Sequence, residues 1–104
     1  MQLSLFPTHK QASGHKVNGS HLQGYIHIEY DTLVEFLGEP HYTDMDKAQA
    51  EWCLEFEDGV IATLYDYKSP WLKEKVTNWH VGGHDEDSIE KIQQMFPNHK
   101  VTKL

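Results

Sequence analysis

Apolar and polar residues alternate along Tyr25-Ile26-His27-Ile28-Glu29-Tyr30, which predicts a strand with Ile26, Ile28 and Tyr30 on one face. The next eight residues change period. Thr32 and Glu35 have capping-box spacing, Asp31 competes as N-cap, Gly38 offers a left-handed stop and Pro40 blocks continuation. That pattern predicts a short helix burying Leu33, Val34 and Leu37 or Phe36. From Ala50 to Tyr67 the alternation returns as a hairpin around Asp58-Gly59. A two-residue loop would set Phe56 beside Ile61 and Leu54 beside Thr63. A three-residue loop, Glu57-Asp58-Gly59 with Gly59 left-handed, sets Trp52, Leu54 and Phe56 against Leu64, Ala62 and Val60. Only the second makes one wholly apolar face, so it is the expected register. The opposite face then carries Glu51, Cys53, Glu55, Ile61, Thr63 and Tyr65.

Ser69-Pro70 breaks the second arm, and residues 71–76 carry no clear pattern. Thr77 to Val81 predicts a further strand, ended by Gly82-Gly83. Asp85 to Phe96 predicts a helix with acids in its first turn and a buried stripe of Ile89, Ile92 and Phe96. Pro97-Asn98 ends it, and Lys100 to Leu104 suits a short edge strand. The order β-α-β-β-β-α, with an optional last β, implies an α+β domain. The expected form is a mainly antiparallel sheet of about four strands with two helices on one face, a variant of the ferredoxin-like arrangement.

Charge sharpens the picture. All nine basic residues are lysines, and all sixteen acids fall between Glu29 and Glu90. That block holds only four lysines against them, a balance of −12, while residues 1–28 carry +2 and residues 91–104 carry +3. Phosphate recognition favours arginine forks and clustered lysines. Direct nucleic-acid binding is therefore disfavoured, and the acidic body suggests a basic protein partner or simply a solvated surface. No apolar run has the length of a membrane span, and no secretory signal pattern is visible. The single cysteine, Cys53, allows neither an internal disulfide nor a cysteine-based zinc site.

Residues 8–23 have the polar composition of a flexible linker, so the domain is expected over residues 24–104. Residues 1–7 are set apart by that linker. Within them, Gln2-Leu3-Ser4-Leu5-Phe6 resembles the peptide by which bacterial polymerases, mismatch-repair proteins and replication regulators dock on the sliding clamp. That pattern is Gln, Leu, Ser or Asp, Leu, Phe, and all five positions match. Leu3, Leu5 and Phe6 are suited to filling a preformed apolar pocket, Gln2 to fixing register at its rim, and Pro7 to stiffening the exit.

A second resemblance spans residues 21–96. Gln23-Gly24-Tyr25-Ile26, Leu33-Val34, Gly38-Glu39-Pro40, Ala50-Glu51-Trp52, Glu55-Phe56-Glu57-Asp58-Gly59, Ala62-Thr63 and Trp79-His80-Val81-Gly82-Gly83 together resemble small accessory proteins encoded in bacteriophage genomes. The resemblance implies a viral origin, action in the bacterial host cytoplasm and an α+β fold. It brings no catalytic residues.

Candidate chemistry is sparse. His80 and His84 are four apart with Asp85 and Asp87 behind them, but Gly82-Gly83 between them removes helical spacing, so they are weak metal candidates. Gly82-Gly83 before a helix hints at a phosphate loop, yet Asp85, Glu86 and Asp87 would repel phosphate. Cys53 lies between Glu51 and Glu55 on its strand face, which raises a thiol pKa, so it reads as a small apolar filler. Glu51, Glu55, Glu57, Asp58 and Asp66 cluster on the hairpin and offer a second interface, with Trp71 as an exposed aromatic anchor. Trp79 is expected in the core.

The expected protein is non-enzymatic, needs no cofactor, and binds the bacterial sliding clamp through its N-terminal peptide. It would compete with clamp clients or tether its acidic domain at the replication fork. One alternative is a phage counter-defence inhibitor acting through its acidic and aromatic surface on a CRISPR effector, a nuclease or a nucleotide signal. Another is a small metal-dependent hydrolase.

Overall fold

The Trp52-Leu54-Phe56 alternation closes in the expected register. In the computed structural model, which describes residues 9–43, 48–67 and 71–104, Trp52 lies opposite Leu64 and Leu54 opposite Ala62. The Phe56 N–H donates to the Val60 carbonyl at 2.9 Å, and Gly59 takes φ +86°. A side chain there would be strained, so glycine fixes the three-residue loop. The two arms are β4 (Ala50–Phe56) and β5 (Ile61–Tyr65).

Around them stand β1 (His9–Gln11), α1 (Gly14–Val17), β2 (His21–His27), α2 (Tyr30–Leu37), β3 (Tyr42–Thr43), β6 (Asn78–Gly83), α3 (Asp87–Met95) and β7 (Lys100–Lys103), with a 3-10 turn over Lys73–Lys75. All described strands join one antiparallel sheet in the order β1-β4-β5-β6-β2-β7, with β3 also paired to β4. The fold is α+β, as the alternating periods imply. The sheet has seven strands rather than about four. The additions are β1 and β3, short strands that pair through their main chains and carry no apolar alternation.

The expected linker is corrected in the same way. From His9 onward the chain pairs with β4, setting His9 opposite Phe56 and Gln11 opposite Leu54. Ser13 then caps α1, and His21 opens β2. Polar composition misleads here because few side chains of the segment are used: Ala12 is buried and Val17 half-buried, and both pack on Cys53 and Ile61. Main-chain pairing, the Ser13 cap and the Lys16–Glu55 ion pair hold the rest.

One face of the sheet carries the core. Trp52, Leu54, Leu64, Trp79, Val81 and Ile26 are buried there under Leu33 of α2, Ile92 and Met95 of α3, and Phe96 just after it. The Trp52 and Trp79 rings meet edge to face at 5.5 Å, and Tyr30 stacks on Trp79 at 6.1 Å. This explains why α2 begins at Tyr30, with Glu29 as N-cap and no side-chain cap, instead of after Thr32 or Asp31. Burying Tyr30 between two tryptophans outweighs a capping bond of about 1 kcal/mol. Val34 and Leu37 are half-buried, whereas Phe36 is exposed.

Gly82 and Gly83 do not end their strand; both lie within β6. A Cβ on Gly82 would meet Thr63 Oγ1 at 2.4 Å, and one on Gly83 would meet Ser88 Cβ at 2.5 Å. Close neighbours on the two faces, rather than a turn, account for the pair. Among the described residues no helix is long and apolar enough to cross a membrane.

Candidate partner-binding face

The second face of the sheet is divided. Its half nearest the hairpin loop is covered by the N-terminal segment. Lys16 of α1 pairs with Glu55 at 2.6 Å, and His84 Nε2 lies 2.7 Å from the Lys16 carbonyl. Ala12 and Val17 cover Cys53 and Ile61. Toward the other half, this cover ends at the turn Asn18-Gly19-Ser20, which stands beside Tyr42 and Glu51.

On that half the strand registers assemble a row from five strands. Tyr42 of β3 is opposite Glu51 of β4, and Glu51 is opposite Tyr65 of β5. Tyr65 is opposite His80 of β6, and His80 is opposite Tyr25 of β2. Directly opposed residues share a face, so the five side chains form one line across the sheet. His80 is stacked on Tyr65 at 5.2 Å and meets Tyr25 edge-on at 5.1 Å, with Tyr67 tilted against it at 5.9 Å. Gly82 makes room for this line, since a Cβ there would come within 3.3 Å of Tyr65 Cε1.

Burial sets the electrostatics. It holds the Glu51 carboxyl above its usual pKa and His80 below its own. Burial also raises Tyr65, with the neighbouring Glu51 adding to it. The Cys53 thiol is pushed up to about 12 by burial and then by Glu51. Cys53 is therefore a buried filler, as its strand position implies, and not a poised thiolate. Beside the row, a cavity of about 390 Å³ is lined by Tyr42, Glu51, Cys53, Val17 and the turn Asn18-Gly19-Ser20.

The residues singled out in the sequence do not all meet here. Gln2, Leu3, Ser4, Leu5 and Phe6 lie outside the described residues, as does Ser69-Pro70. Glu55 is held by Lys16, and Asp58 by Lys91 of α3 at 2.6 Å, so both carry a counter-charge and a carboxyl pKa below the usual range. Glu57 is exposed on the loop. Asp66 is only 1 % exposed, and its Oδ1 accepts from the Gln49 and Ala50 N–H groups at 2.8 and 3.0 Å. It anchors the start of β4 from inside and is no part of an outer acidic surface. Of the hairpin acids, Glu55 and Asp58 are therefore ion-paired and Asp66 is enclosed. Trp71 is 66 % exposed, and its carbonyl accepts from Gln49 Nε2. His80 and His84 have separate surroundings, the aromatic row and the α1 carbonyl. No cluster of three His, Cys, Asp or Glu side chains suited to a metal occurs among the described residues.

Two residues have places that sequence reasoning did not foresee. Tyr42 enters the row only through the two-residue strand β3. His41 accepts the Cys53 N–H through Nδ1 at 2.9 Å, and burial lowers its pKa, with His9 nearby acting in the same direction. A histidine folded with a depressed pKa stabilises fully above its unfolded value near 6.5, and that stability is lost as pH falls toward the folded value. Both His41 and His80 have this sign. The melting temperature should therefore drop as pH falls from 7 to 5, before the ion-paired carboxylates titrate. Thermal melts across that range check it: His41→Asn should flatten the slope, and an unchanged slope would refute the assignment.

Comparison with family models, with curated proteins and with solved structures gives no match to this chain.

Proposed function

We propose that this is a non-catalytic phage accessory protein that docks on the bacterial sliding clamp through Gln2-Leu3-Ser4-Leu5-Phe6 and brings an acidic α+β body to it. The observation that carries the reading is the match at all five peptide positions. The body supports it in two ways. Its first described strand, β1, stands at one end of the sheet order, so the peptide is joined to the domain at the sheet margin. Its one thiol is buried and far from a reactive pKa, which removes the most plausible nucleophile. We also read the body as a ferredoxin-like variant. Strands β7-β2-β6-β5 run in the 4-1-3-2 order, with α2 and α3 packed on one face, and β1, β3 and β4 are additions. Action in the host cytoplasm is part of this proposal.

A peptide of this kind competes with other clamp clients for one pocket. Titrating the protein into a bacterial clamp carrying a fluorescent client peptide should displace the label at micromolar concentrations. Retention of the label at a hundredfold higher concentration would contradict the proposal. A second reading, a counter-defence inhibitor acting through its body, is favoured by the aromatic and acidic row on the second sheet face. It predicts inhibition that survives removal of residues 1–7.

A further inference from the structure

Among the described acids without an ion pair, Glu51 and Asp66 alone are not exposed, and Asp66 is held by two main-chain N–H groups. Four ion pairs join lysines to Glu55, Glu74, Asp58 and Glu86, but Glu51 has no ion pair among the described residues. It is nevertheless half-buried, and burial alone is what raises its carboxyl pKa. A carboxylate partly withdrawn from water without a counter-charge is destabilising, and such groups gather at functional sites.

Its neighbours define what would satisfy it. Tyr42 and Tyr65 are its register partners on either side, and Tyr42 lines with it the cavity of about 390 Å³ bounded by Val17 and the turn Asn18-Gly19-Ser20. Aromatic faces beside a carboxylate suit a flat cation that stacks and forks hydrogen bonds at once, which is the guanidinium group. The chain supplies none, having no arginine. Its net charge of −7 favours the approach of a basic partner.

We propose that the cavity at Glu51, lined by Tyr42 and the turn Asn18-Gly19-Ser20, receives an arginine side chain of a basic protein partner. The guanidinium forks onto the Glu51 carboxylate and lies against the Tyr42 ring, while the cavity beside α1 takes the rest of the side chain. Lysine would give the charge without the planar fork. The inference does not rest on the clamp reading, and it fails or holds without the N-terminal peptide.

The test uses the full-length protein and two small probes, N-acetyl-arginine amide and its uncharged isostere N-acetyl-citrulline amide. Amide chemical shifts are followed by NMR as each probe is added to about 100 mM, a range that captures a millimolar contact. Arginine should move the resonances of Tyr42, Glu51 and Tyr65, citrulline should move them less than a fifth as far, and Glu51→Gln should abolish the arginine response. Equal responses to the two probes, a response surviving in Glu51→Gln, or none with arginine would each overturn the proposal. Glu51→Gln should also raise the melting temperature by roughly 2–5 °C at pH 7, since it removes an uncompensated charge. A lower melting temperature would show that Glu51 serves the fold and would overturn it as well.

Discussion

Trp52→Ala should destabilise the fold by about 3–5 kcal/mol, a large share of its total stability. The indole is completely buried, packs against Trp79 and Tyr30, and donates from Nε1 to the Gly38 carbonyl at 2.9 Å. Replacing a buried tryptophan by alanine costs about 3–5 kcal/mol through lost transfer energy and the cavity left behind. Losing the donor strands a carbonyl at the end of α2 and adds to the cost. A domain of this size has a total stability on the order of 5–15 kcal/mol. The side chain also links elements far apart in sequence, tying the end of α2 to the centre of the sheet. Urea unfolding followed by circular dichroism measures the effect. A loss below about 1 kcal/mol would mean that the core is not built around Trp52.

The second large effect lies at the other end of the chain. Leu5→Ala together with Phe6→Ala should weaken clamp binding at least about 100-fold while leaving the melting temperature unchanged. Each apolar side chain that fills a pocket contributes roughly 1.5–3 kcal/mol, so removing two costs enough to take a micromolar contact beyond ordinary detection. Stability should not move because the proposal assigns Leu5 and Phe6 to the clamp pocket and not to the fold. Surface plasmon resonance and thermal melts on the same variant separate the two. Unchanged binding would remove the clamp proposal, and a large fall in melting temperature would instead assign Leu5 and Phe6 to the fold.

The sequence was most legible where side-chain pattern and turn chemistry agreed. Trp52, Leu54 and Phe56 had one register that kept a face apolar, and Gly59 permitted the loop it required, so the hairpin followed from the chain alone. It was least legible where the main chain does the holding. His9 to Gln11 and Tyr42-Thr43 pair with β4 without any apolar alternation to announce them. Gly82 and Gly83 looked like a strand stop because sequence shows their missing side chains but not Thr63 and Ser88, whose crowding makes glycine necessary.

The candidate face was only half visible for the same reason. Glu51 and Tyr65 fell on one face as soon as the hairpin register was chosen. His80, Tyr25 and Tyr42 joined them through strand neighbours that are not consecutive in the chain, which no local pattern encodes. The acids of the hairpin misled in the opposite direction. Proximity in sequence grouped Glu55, Asp58 and Asp66, whereas the fold gave the first two lysine partners and enclosed the third.

The clamp reading and the arginine-receptor reading describe separate surfaces joined in one chain. A peptide that docks on the clamp raises the effective concentration of the body near whatever else assembles there, so a weak contact at Glu51 would be strengthened by the tether. The order of importance between them is decided by the peptide.

Calorimetric titration of a purified bacterial sliding clamp with the full chain and with a chain lacking residues 1–7 addresses this most directly. The account predicts micromolar binding by the full chain and none by the shortened one, with both equally folded. Equal binding by the two, or none by either, would contradict it.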